Sequence, residues 1–199
     1  MVHNFSIALN PTLTQLRSNL EVLEQAASDD MYRVWVPPGM MVDGDATVAA
    51  TYVDATATIP EHWELTEGAG IVSTQWFMPI HPQWKDGVLW LTAYYATNGT
   101  SAGNVRWRTD YLTLKSGDAL GGFVNGTAFE LAAPTATSTF YALDIIDQTT
   151  GSGFVTITAG TKAVALRIAR NANHANDTHT DDIQLFGVVV NYKESRRQL

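Results

Sequence analysis

The clearest alternation in the chain lies near its C-terminal end. In Val164–Arg170, Val164, Leu166 and Ile168 alternate with Ala165, Arg167 and Ala169, the period of two that marks a strand with one buried face. Leu185–Tyr192 is a continuous, largely β-branched run, the pattern of a strand buried on both faces. Residues 171–182 between them hold no apolar side chain larger than Ala and predict a long polar loop. Two core strands joined in this way predict the closing edge of a β-sandwich, and the preceding residues have to supply the rest.

Upstream, Met31–Val36 alternates and stops at Pro37-Pro38, which cannot donate to a ladder. Asp43-Gly44-Asp45 reads as a turn before a strand over 46–53, and 60–64 reads as loop. A strand over 71–80 ends at Pro79 and Pro82. Lys85-Asp86-Gly87 then turns into Val88–Ala96, apolar on both faces and therefore central. Asn98-Gly99 is a strong turn signal. Val105–Tyr111 alternates cleanly, with Val105, Trp107 and Tyr111 predicted inward and Arg106, Arg108 and Asp110 outward. Residues 115–118 predict a turn, 121–125 a Gly-rich stretch, and 139–145 and 153–159 two further strands. About nine or ten strands, spaced by turns, predict an all-β protein: a jelly-roll-like antiparallel β-sandwich. Its expected core includes Val88, Trp90, Trp107, Leu166, Ile168, Val188 and Val190.

One helical pattern stands apart, over 11–27. Asn10 suits the N-cap, Pro11 the first helical position, and Ser28-Asp29-Asp30 ends it. Leu13, Leu16, Leu20, Leu23 and Ala27 are spaced 3-4-3-4, a short heptad seam, and Arg17 and Glu21 form an i,i+4 pair. The organisation expected is an N-terminal helical arm over 1–30 and a sandwich domain over 31–199. The seam packs either on its own domain or between subunits, which makes Leu13, Leu16, Leu20 and Leu23 candidate oligomerisation residues.

Composition narrows the function classes. Of the 199 residues 16% are charged, with six Trp, seven Tyr and seven Phe, against roughly one quarter charged in ordinary globular proteins. That suits wide sheets. A formal net charge of −8 argues against nucleic acid, whose phosphates need clustered Lys and Arg. Cysteine is absent, which excludes disulfides, thiolate chemistry and Cys-based zinc sites. No run of about 18 apolar residues predicts a membrane span, and the Met1–Ser6 start has no signal-peptide pattern. The Asn-x-Ser/Thr sequences at Asn4, Asn98, Asn125 and Asn176 are read as turn chemistry.

Candidate chemistry is sparse. The 171–182 loop holds His174, Asp177, His179, Asp181 and Asp182, ligand types for calcium or a transition metal, but their spacing matches no known metal signature. A solvated acidic loop is the reading taken, with no metal and no cofactor. Asp43, Asp45 and Asp54, with Glu61 and Glu64, invite a glycosidase reading, yet no spacing fixes two carboxyls at a working separation. No nucleophile elbow, phosphate loop or dinucleotide fingerprint occurs. Trp63, Trp84 and Tyr95 are candidates to stack on sugars if exposed, although aromatics in a sandwich more often form core. Arg106 and Arg108 form a basic stripe that could contact an acidic neighbour in an assembly.

Several short motifs together carry a resemblance. They are Trp84-x-x-Gly87-x-Leu-x-Leu-x-x-Tyr94-Tyr95, Ser101-Ala-Gly-Asn-Val-x-Trp107 and Ser116-Gly-Asp118. Further on come Leu166-x-Ile-x-Arg170, the loop with Asp177 and Asp182, and Leu185-x-Gly-Val-x-x-x-Tyr192. Over about residues 31–192 the chain resembles small jelly-roll structural proteins of tailed bacteriophages. The resemblance implies a non-enzymatic virion component on a capsid surface or tail, foremost a decoration or cement protein, with capsid or tail proteins as partners. It carries no active-site residues. By analogy with viral jelly rolls on threefold positions, a homotrimer is expected. The alternative is a carbohydrate-binding β-sandwich such as a receptor-binding tail-fibre head.

Overall fold

The computed structural model describes residues 31–44, 48–68, 70–80, 87–119, 121–133, 135, 139–145 and 155–194. The helical pattern over 11–27, with Leu13, Leu16, Leu20 and Leu23, lies outside them, as do Trp84 and Asp45.

The described strands are β1 (Met31–Val36), β2 (Val42–Asp43), β3 (Val48–Ala49), β4 (Thr51–Val53), β5 (His62–Leu65), β6 (Ile71–Pro79) and β7 (Gly87–Thr97). They continue with β8 (Asn104–Lys115), β9 (Val124–Ala132), β10 (Tyr141–Ile145), β11 (Val155–Ile157), β12 (Thr161–Asn171) and β13 (Ile183–Glu194). In the first sheet β13 lies between β7 on one side and β1 and β5 on the other, and β10 and β11 flank the far side of β7. In the second sheet the order is β2-β6-β12-β8-β9, with β3 also on β6. Every described pairing is antiparallel except β3 with β6.

Counting only β1, β6, β7, β8, β9, β10, β12 and β13, the first sheet runs 1-8-3-6 and the second 2-7-4-5. That order is a jelly roll: two Greek keys wrapped so that consecutive strands cross between sheets. The expected all-β sandwich is what forms.

The core between the sheets shows why. From β12, Val164, Leu166 and Ile168 are fully buried, from β13 Leu185, Val188, Val190 and Tyr192, and from β8 Val105 and Trp107. Tyr95 meets Trp107 edge-on across the sandwich, ring centroids 5.3 Å apart, a favoured geometry for the ring quadrupoles.

β7 buries the opposite face from the one expected. Val88 and Trp90, expected in the core, are only partly buried; Leu89, Leu91, Ala93 and Tyr95 point inward instead. A strand apolar on both faces carries no alternation to fix which face is which, and one residue of shift exchanges them. Residues 62–64, read as loop, lie in β5. β9, also unexpected, pairs with β8.

Candidate functional site

The charge-dense loop 171–182 is the first place to look for chemistry. Asn173, Ala175, Asn176, Thr178 and Thr180 are exposed, in keeping with the solvated loop expected, but the charged residues between and after them are tied into a plug at one end of the sandwich. Arg170, fully buried at the end of β12, turns its guanidinium into it. Its Nε and Nη2 donate to the two oxygens of Asp177 at 3.1 and 2.9 Å, and Nη1 donates to the carbonyl of Asp181 at 2.7 Å. Nη2 also reaches the carbonyl of His179. Asp177 in turn accepts the backbone N–H of Arg106 at 3.0 Å.

The neighbouring turn is tied to the same plug. Asp181 accepts the backbone N–H of Ser101 at 2.7 Å, and the Ser101 hydroxyl meets His179 Nδ1 at 3.1 Å. Asp182 accepts the Glu67 N–H at 2.8 Å and pairs with Asn98. Gly103, at φ 140°, lies so close to Thr178 that a Cβ there would sit 2.5 Å from its carbonyl oxygen. Ser101, Gly103, Asn104, Arg170, Asp177 and Asp182, the motif residues of the phage resemblance, thus meet at one junction, where their role is architectural.

Electrostatics follow from this packing. Hydrogen bonds from the Ser101 backbone and hydroxyl hold the Asp181 carboxyl below its ordinary range. Burial, then the Arg170 guanidinium, pushes the His179 imidazole below its ordinary value. The carboxylates are engaged with donors, and among the described residues no group of three or more His, Asp or Glu side chains is arranged to hold a metal ion.

Several other candidates are also engaged. Arg106 pairs with Glu130. Arg108 and Arg167 both bind Asp110, with Nε-to-oxygen distances of 2.8 Å. Asp110 faces outward as expected but is 1% exposed, because two guanidiniums cover it. Asp43 accepts the Ala50 N–H at 3.0 Å and Glu61 the Tyr52 hydroxyl at 2.7 Å. Trp63 and Tyr95, the candidate sugar stackers that the structure describes, are buried at 8% and 3% exposure.

The exposed aromatics lie elsewhere. On the outer face of the first sheet Trp35 is 49% exposed and Phe140 59%. Trp35 meets Tyr94 edge-on at 5.5 Å, Tyr94 stacks on Phe140 at 5.5 Å, and Phe140 lies 5.9 Å from Phe186. Phe186 lies at a β-bulge, because pairing with β7 jumps from Leu185 to Gly187, and a bulge re-aims side chains. Gly187 adopts φ 137°, and a Cβ there would sit 2.5 Å from the Trp35 ring. The missing side chain lets the indole lie across β13 to reach Tyr94.

A polar strip adjoins the row. Asn191 Nδ2 donates to Thr92 Oγ1 at 2.9 Å, and Thr92 Oγ1 donates to Asp144 Oδ1 at 2.6 Å. Register places Thr92 between Val189 and Asp144, with Trp35 beyond Val189, and Tyr94 beside Ala142. An open aromatic shelf beside oriented polar groups can stack on the apolar face of a flat ligand and hydrogen-bond its rim. Composition and spacing missed it, since its residues are scattered over 35, 92, 94, 140, 144, 186 and 191. The one available signal was the second face of β7, where Trp90, Thr92 and Tyr94 recur every two residues.

No family model matches the chain, and no curated protein matches it. Solved structures with similar outlines include the CBM36-1 domain of a multidomain xylanase from the hindgut metagenome of Trinervitermes trinervoides, at 9% identity, covering 84% of this chain and 100% of that one, TM-score 0.45. CBM35 from Cellvibrio japonicus Abf62 is 14% identical, covering 80% and 92%, TM-score 0.45. The enzymatically active domain of bacteriophage CBA120 tailspike protein 4 is 11% identical, covering 81% of this chain and 19% of that one, TM-score 0.36. At this level of likeness, function has to be argued from the chain's own residues.

Proposed function

We propose that the protein is a carbohydrate-binding β-sandwich whose ligand lies on the outer face of the first sheet. The observation that carries the reading is the row Trp35–Tyr94–Phe140–Phe186, left open beside the Asn191–Thr92–Asp144 strip. A pyranose ring has an apolar C–H face and a polar hydroxyl rim, so it matches this pairing of surfaces. Aromatic shelves also hold a ligand at low conformational cost, because their own packing already fixes the rings. The decisive experiment is a glycan array followed by calorimetric titration of hits. Wild type binds a glycan and Trp35→Ala loses that binding with its fold intact. An array with no hits, or a Trp35→Ala variant that binds normally, overturns the proposal.

A second reading, a virion structural protein, is favoured by a different surface. Val42 is 56% exposed and Phe77 61% exposed at the β2–β6 margin of the second sheet, an apolar margin suited to a neighbouring subunit in an assembly. On that reading the chain is a homotrimer held partly through residues 1–30. Sedimentation of the full chain and of a version lacking residues 1–30 tests it: an unchanged oligomeric state together with unchanged binding to particles removes the role of the arm. The two readings are compatible, since a particle protein can also hold a glycan.

A further inference from the structure

Resting on the carbohydrate reading, we infer that Asp144 selects the ligand's charge: the subsite beside it takes a neutral sugar hydroxyl pair and rejects an anionic substituent. A threonine hydroxyl has one proton. Thr92 receives an N–H from Asn191 at 2.9 Å and gives its own proton to Asp144 Oδ1 at 2.6 Å. Asn191 is buried, at 3% exposure, and its Nδ2 also donates to the Val189 carbonyl at 3.4 Å. The strip therefore has a fixed polarity, with its donor end buried at Asn191 and its acceptor end exposed at Asp144.

Asp144 is the exposed end of that strip. Its carboxylate oxygens offer lone pairs. A ligand must bring the protons, and adjacent sugar hydroxyls do so at a spacing that two carboxylate oxygens can accept. The carboxylate, sulfate or phosphate of an anionic substituent brings only acceptors and negative charge to Asp144, in a chain already at −8, and is repelled there. Arg33 is exposed on the same face, but on β1, three strands from β10, or about 14 Å at ~4.8 Å per strand. It is too far to neutralise a group held at Asp144.

The test uses the full-length chain and a matched pair of ligands: a neutral oligosaccharide that binds, and the same oligosaccharide with its C6 hydroxymethyl groups oxidised to carboxylates. Wild type is expected to bind the oxidised ligand at least about tenfold more weakly. Asp144→Asn keeps an oxygen to accept the Thr92 proton while turning an amide N–H outward, so the strip survives and its outer polarity reverses. In that variant the gap between the ligands closes: the neutral sugar weakens severalfold and the oxidised one gains. If wild type binds both ligands equally, or Asp144→Asn leaves the ratio unchanged, the selection argument fails while the carbohydrate reading stands. If no neutral oligosaccharide that binds wild type can be found, both fall. Trp35→Ala serves as the site control, since losing both ligands there places binding on this face.

Discussion

At the 171–182 plug the guanidinium of Arg170 and the carboxylate of Asp177 face each other in the interior, each further engaged by backbone groups of the same junction. On the outer face of the first sheet the polar strip runs the other way and ends on an exposed carboxylate, flanked by half-open rings. Both regions depend on β13, which follows the plug and carries Phe186, Gly187 and Asn191 on the face. A buried ion pair that is fully partnered has nothing left to offer a ligand. A strip with an unengaged end does. Charge density along a sequence therefore marks places where charge must be dealt with, and the dealing can be entirely internal.

The largest expected effect tests the internal side. Arg170→Met leaves the Asp177 carboxylate buried with one backbone N–H and no counter-charge, and removing one partner of such a pair costs about 3–5 kcal/mol. Leu166→Ala, a fully buried position, is expected to cost a comparable ~2–5 kcal/mol. Denaturant unfolding measures both. If Arg170→Met unfolds like wild type but loses a ligand, the plug is a binding site and its charges are not wholly engaged internally.

Gly187→Ala addresses the seam between the two regions. It forces a side chain into a left-handed backbone and against the Trp35 ring, for about 1–3 kcal/mol. Because Trp35 must move, glycan binding should fall together with the melting temperature. Trp35→Ala separates the two readouts: a half-exposed ring contributes under ~1 kcal/mol here, so binding should vanish with stability nearly unchanged. A large loss of stability in Trp35→Ala would make the row a structural cluster instead of a shelf.

Much of the fold was legible because its strands advertise a period. β1 was readable to its last residue because Pro37 follows Val36, and β12 because Leu166 and Ile168 alternate with Arg167. β9 was not, since Gly126 and Thr127 break the pattern of an edge strand largely open to water. In the plug, residue types were visible but not their partners: Asp177 looks solvated until β12 brings Arg170 beneath it. The aromatic row was hidden for a different reason. Trp35, Tyr94, Phe140 and Phe186 become neighbours only through the β1-β13-β7-β10 order and one bulge, neither of which periodicity encodes.

The smallest effect expected is a pH dependence seated in the plug. His179 is 1% exposed, with Nδ1 on the Ser101 hydroxyl at 3.1 Å and Nε2 without a partner among the described residues. Burial, then Arg170, lowers its pKa, while Asp181, Asp177 and a Ser101 hydrogen bond oppose the shift. An imidazole whose folded pKa lies below the unfolded value of ~6.5 binds fewer protons folded than unfolded in that window. Its stabilisation is therefore complete above pH ~6.5 and declines as pH falls through that value. Asp181, lowered chiefly by the Ser101 N–H, acts in the same direction but only in the carboxylate range, below about pH 4. The melting temperature should thus drop between pH 7 and pH 5, and His179→Gln should flatten that interval without touching the decline below pH 4. A His179→Gln variant as steep as wild type between pH 7 and pH 5 would move the titrating group out of the plug.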